Sequence, residues 1–202
     1  VSDQRPYAAL LARGEDRRQR ILVAAQRLLK RNGWRGITLG QIAREAGVTR
    51  AGLLHHFASK EQLLQAALDA RDAYDEAHAD QFGDIVVELE RTAERMMRAP
   101  DLVGMFAVLM MESIDPDAPL HARFLDRYRT TVDIIAEAIR KGQRAGRYRT
   151  DLDPDIKAME IVAFLTGMES TWLLDPSIPL TRVFREYTGS LSRQLAPPSD
   201  TA

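Results

Sequence analysis

"TLGQIAREAGVTRAGLLHHFASKEQLL", residues 38–64, carries two short helical patterns around one glycine, and the second ends in adjacent histidines. Thr38 with Gln41 matches a capping box, in which hydroxyl and amide satisfy free backbone groups at a helix start. Leu39, Ile42, Ala43 and Ala46 then recur at helical spacing. Gly47 ends that run, because glycine enters the left-handed region without a steric penalty. Thr49 caps a second short helix, about residues 50–56, that carries Leu53. Ser59 with Gln62 forms another capping box and opens a longer helix. Two short helices joined by a three-to-four-residue turn with a glycine make a helix-turn-helix unit. Ala43, Val48 and Leu53 are its expected internal core.

The histidines are read by their place in that unit. The second helix of such a unit enters the major groove of DNA with its N-terminal residues near base edges. Arg50, Ala51, Gly52, His55 and His56 suit that position. Arg50 can donate to guanine O6 and N7 or to a phosphate. Ala51 and Gly52 let the backbone come close. Thr38 and Thr49 put hydroxyls and helix-start amides where phosphates would lie, and Lys60 adds a charge on the same side. Adjacent helical positions diverge by about 100°, so His55 and His56 lack the i,i+4 geometry that lets two histidines share one ion.

The charge distribution agrees. The 202-residue chain has a net charge of −1, yet residues 1–60 hold 12 Lys and Arg against 4 Asp and Glu, while residues 61–202 hold 16 against 25. Such asymmetry points to a polyanion-binding part joined to a part of another kind. There is no cysteine, which excludes disulfides, thiolate metal sites and cysteine nucleophiles. No run of 18 uncharged apolar residues spans a membrane. The N-terminus lacks a charged-then-apolar leader pattern, so a cytoplasmic protein is expected.

Helical periodicity covers the remainder, and no window alternates with period two. A first helix is expected at about 16–32, preceded by a flexible N-terminal arm and closed by Asn32-Gly33. The fourth runs from about 60 to 79. Ile85 to Met97 mark a fifth, ended by Pro100. The sixth, Leu102 to Ile114, is apolar nearly all round, as a buried helix is. The seventh carries Leu120, Phe124, Tyr128, Val132, Ile135 and Ile139 and ends near Gly142 or Gly146. Asp153-Pro154 opens an eighth to about Leu174. Leu180 to Leu195 form a ninth, followed by a loose tail, "APPSDTA". The expected fold is therefore all-α, with about nine helices. Residues 1–60 form a helix-turn-helix domain and 61–202 a second helical domain.

The stretch at 38–64, preceded by "RRQRILVAAQRLLKRNGWRGIT", resembles the DNA-binding domain of the tetracycline-repressor (TetR) family of transcriptional regulators. The resemblance covers roughly residues 16–68. One departure is Leu54, at a position that is often tyrosine in the family. The resemblance implies a homodimeric, ligand-responsive regulator, a repressor that leaves a palindromic operator when a small molecule fills the C-terminal domain. It also implies that helices eight and nine pair with those of a second subunit. Val162, Leu165, Val183, Phe184, Tyr187 and Leu191 are the expected dimer contacts.

"LVGMFAVLMMES" is the expected pocket segment, since methionines fill irregular space and adapt to varied apolar ligands. Met105, Phe106, Leu109, Met168 and Trp172 are the candidate lining for an apolar or amphipathic effector. Glu112 is a candidate anchor for a cationic one. The same residues suit an ordinary helical core. No cofactor or metal site is read from the sequence. The four histidines show no nucleophile–base spacing, and Glu-x-x-His is absent. No glycine-rich phosphate loop occurs, so no enzyme is expected. The competing reading is a helical ligand-binding or adaptor protein without DNA affinity.

Overall fold

The computed structural model describes residues 4–78 and 84–197, with side chains from residue 14 onward. Among these residues the elements are all helices: α1 Gln4–Asn32, α2 Leu39–Glu45, α3 Arg50–His56, α4 Lys60–His78, α5 Ile85–Arg98, α6 Pro100–Glu112, α7 His121–Arg144, α8 Pro154–Leu174 and α9 Leu180–Leu195. The all-α expectation holds, and most helix ends fall within two residues of their expected places. The exception is α1, which begins at Gln4 rather than near residue 16. Its early part, "AALLA", consists of strong helix formers, and Pro6 lies in the first turn, where proline is tolerated. The expected end of the fourth helix at 79 and the tail beyond 197 lie outside the described residues.

Packing divides the chain into two compact units, Val1–Ala77 and His78–Ala202. The division falls at the far end of α4, whereas the expected domain boundary was at its start. In the first unit α1 packs on α2 and α3, and α2 on α3. Its buried residues include Ile21, Leu22, Ala25 and Leu29 of α1, Ile42 and Ala43 of α2, Leu53 of α3, and Leu63, Leu64, Ala67 and Leu68 of α4. These sit at the three- and four-residue spacings that put apolar side chains on one helix face.

In the second unit α8 packs on α7 and α6, and α5 on α9. One cluster joins Leu89, Val132, Ile135, Ile139, Ile161, Val162, Leu191 and Leu195. Another joins Ala93, Met96, Val103, Leu180 and Phe184. The turn after α7 is pinned from several sides. Gly146 takes φ 70°, and Gln143 Nε2 donates to the carbonyls of Arg149 at 3.0 Å and Leu152 at 2.9 Å. The Tyr148 ring lies against Gly142, where a Cβ would come within 2.0 Å of it. Its hydroxyl donates to Asp84 Oδ1 at 3.1 Å, and burial with that carboxylate pushes its pKa up to about 12.

Candidate nucleic-acid interface

The α2–α3 corner is built by its caps. Thr38 Oγ1 accepts from the Gln41 amide at 3.2 Å, and Gln41 Oε1 accepts from the Thr38 amide at 2.7 Å, completing the capping box. At the other end Gly47 takes φ 66°. The Val48 amide donates to Ala43 at 2.9 Å and the Gly47 amide to Arg44 at 3.1 Å, which is the Schellman closure. Thr49 Oγ1 then accepts from the Gly52 amide at 3.0 Å and starts α3.

This corner decides which way α3 presents its residues. Leu53 is fully buried, and Phe57, the C-cap, is nearly so. Arg50, Ala51, Leu54 and His55 are exposed, and Gly52 and His56 are half-buried. The His55 and His56 rings meet edge to face, with centroids 5.5 Å apart. Arg18 of α1 lies over the Phe57 ring at 5.3 Å. Among the described residues no group of three His, Asp or Glu side chains converges as a metal site would.

Lys60 is engaged within the unit. Its Nζ donates to the Trp34 carbonyl at 2.5 Å and sits 4.2 Å from the centroid of the Trp34 ring. The first residue of α4 is thereby tied to the loop that precedes α2. Thr38 and Thr49 also use their hydroxyl oxygens in the caps just described. The two threonine caps follow from the sequence, whereas the Lys60–Trp34 contact appears only in three dimensions.

The surroundings of His56 lower its pKa below the ordinary 6.5; the causes are burial first, then His55, Arg17 and Arg18, with Glu15 opposing. The unfolded chain therefore binds more protons than the folded one just below neutrality. The contribution to stability is present above pH about 6.5 and is lost as pH falls through the depressed folded value. Thermal unfolding followed by circular dichroism at pH 7.5 and 5.5 should show His56→Gln losing less stability on acidification than the parent chain. Equal losses would place the pH dependence elsewhere.

In the second unit the candidate pocket residues are split. Met105 and Leu109 are fully buried on α6. Phe106 pairs with Phe124 of α7, ring centroids 5.1 Å apart, and carries the Arg127 guanidinium at 5.1 Å. Met168 and Trp172 of α8 pack instead on the cluster that contains Met96, Val103 and Phe184. Glu112 is half-buried at the end of α6. A carboxylate not expected from the sequence is Glu169, buried on the inward face of α8. Its signal is register: Val162, Leu165, Glu169 and Trp172 follow one another at helical spacing.

The candidate dimer residues need correction. Phe184 is 0% exposed and Leu191 and Val162 are also buried, each within the protomer's own clusters. They fill the protomer's own core. Leu165, Val183 and Tyr187 are half-buried, and the Tyr187 ring stacks on Phe164 at 3.6 Å. The opposite face of α8 is the open one. Ile156 is 54%, Met159 43% and Leu174 87% exposed, and the exposed Ala163, Gly167 and Thr171 lie between them. All six recur at three- or four-residue steps and share one stripe.

A three-helix unit whose capped corner presents a short, basic and small-residue helix is a helix-turn-helix DNA-binding unit. Residues 21–67 match the model of the family described as "Bacterial regulatory proteins, tetR family". Over these residues the chain carries the DNA-binding domain of the tetR family, and it is a DNA-binding transcriptional regulator. It is 28% identical over 178 residues to the HTH-type transcriptional regulator TtgR of Pseudomonas putida, covering 80% of this chain and 82% of that one. It is 27% identical over 160 residues to the HTH-type transcriptional repressor AcnR of Corynebacterium diphtheriae, with 76% and 80% covered. A solved protein from Saccharomonospora viridis in complex with choline superposes with a TM-score of 0.69 at 26% identity, covering 87% of this chain and 95% of that one. No helix among the described residues is long and apolar enough to cross a membrane.

Proposed function

We propose that the chain is a cytoplasmic repressor that binds a palindromic operator as a homodimer and leaves it when a small apolar or amphipathic molecule enters the second unit. The observation that carries this reading is the face of α3, where Arg50, Ala51, Leu54 and His55 stand exposed while Leu53 is fully buried. Arg50 meets a guanine edge, and Ala51 and Gly52 allow close approach. His55 and His56 lie over the adjoining backbone. Thr38 and Thr49 set the corner and face phosphates from the helix starts. Lys60 holds α4 against the Trp34 loop and adds charge to the same side.

The dimer forms through the exposed stripe of α8 alongside α9. Ala163 and Gly167 at its middle permit close helix approach, and Ile156, Met159 and Leu174 supply apolar area that would otherwise stay in water. The effector site lies in the second unit near Phe106, Met168 and Trp172, with Glu112 or the buried Glu169 as a partner for a cationic group. The choline complex of the S. viridis protein supports a small organic ligand of that kind, and AcnR supports repression.

A mobility-shift titration tests the DNA interaction, using a duplex selected from a random library by the full-length chain. Arg50→Ala should weaken binding by about 1–3 kcal/mol, or roughly fivefold to 150-fold, with an unchanged circular dichroism spectrum. Unaltered affinity in a folded variant would remove Arg50 from the interface.

A further inference from the structure

Leu54 is 39% exposed, and among the described side chains of residues 14–78 it is the one large hydrophobic that stands exposed. It sits in the middle of α3, between the buried Leu53 and the exposed His55. Three residues earlier on the same helix lies Ala51, also exposed. Positions three apart are neighbours on a helix surface, so the Ala51 methyl and the Leu54 isobutyl group form one small apolar patch on the outward face. The polar neighbours Arg50 and His55 flank it. Phe57 and Leu53 are nearly or fully buried, so the fold does not need Leu54 for its core.

We propose that Leu54, assisted by Ala51, reads the C5 methyl group of a thymine in the major groove and is a specificity-determining residue of the operator complex. This rests on α3 being the helix that enters the groove. The base edges of the major groove present hydrogen-bond donors and acceptors at every pair, but a single kind of apolar group, the thymine methyl. A leucine held against any other base edge would strip water from polar groups and offer them nothing in return. Against a thymine methyl it removes apolar surface from water on both sides. The proposed operator therefore carries a thymine at one symmetric position in each half-site, next to the pair that Arg50 meets.

Uracil tests this, because it differs from thymine by that methyl alone. A duplex selected by the full-length chain is resynthesised with each thymine replaced in turn by uracil, and affinities are measured for the parent chain, Leu54→Ala and Ala51→Gly. At one symmetric position uracil should weaken the parent about fourfold per half-site, the effect of one buried methyl-sized group. Leu54→Ala should bind the thymine and uracil duplexes equally well. Three results would overturn the assignment: no thymine whose methyl matters, undiminished discrimination in Leu54→Ala, or discrimination abolished only in Ala51→Gly. Failure to select any duplex is a different failure, since it would remove the α3 reading itself and this inference with it.

Discussion

Gly167→Glu should yield a folded monomer whose operator affinity is about 10²–10⁴-fold lower, the range expected when two linked binding units become one. Gly167 lies in the middle of the exposed α8 stripe, and a Cβ built on it meets nothing within 4 Å. The substitution therefore adds a charge to the proposed partner surface without disturbing the protomer. Replacing glycine inside a helix also favours the helix slightly. Phe184→Ala provides the contrast. That ring is 0% exposed and lies edge to face with Phe164 at 5.1 Å. Its removal should destabilise the protein by about 3–5 kcal/mol, as truncations of buried aromatics do. Sedimentation and thermal unfolding separate the two variants: one changes mass, the other stability. A Gly167→Glu protein that sediments as a dimer would remove α8 from the interface.

Operator affinity should also fall by at least about 10³-fold when salt is raised from about 50 to about 200 mM, the drop expected for six or more neutralised phosphates. Arg17, Arg35, Arg44 and Arg50 are exposed on the first unit, and a dimer doubles their number. Arg20 is less available, since its guanidinium is 3.3 Å from Asp16. Each phosphate neutralised contributes about −0.9 to the slope of log K against log salt. A slope shallower than about −2 would mean that most of this basic surface faces away from the DNA.

The helices were legible because caps and periodicity are local. Thr38 with Gln41, Gly47, Thr49 and Asp153-Pro154 each announce a boundary by chemistry within four residues. α3 was legible for the same reason: one turn of geometry separates Thr49 from the buried Leu53. The α8 faces were not. Ile161, Val162 and Leu165 line one side, and Ile156, Met159 and Ala163 the other, so the apolar period does not say which side meets the protomer's own core. On α9 the stripe through Phe184, Leu191 and Leu195 is apolar enough for either role, and only the packing of α5 against it decides. Lys60 was legible as a charge beside the helix-turn-helix corner, but not as a partner of Trp34, which lies 26 residues away in the chain. Glu169 was hidden by its chemistry, because carboxylates are seldom buried and register alone singles it out.

The central claim is that α3 of each protomer occupies a major groove of one two-fold-symmetric site. Dimethyl sulfate protection reads it directly, because the reagent methylates guanine N7, which lies in that groove. On a duplex selected by the full-length chain, two symmetric sets of guanines should be protected, separated by a whole number of helical turns. With Arg50→Ala bound at saturation, the guanine that Arg50 meets in each half-site should become reactive again. Guanines that stay fully reactive throughout a bound duplex, or a protection pattern unchanged in Arg50→Ala, would contradict the claim.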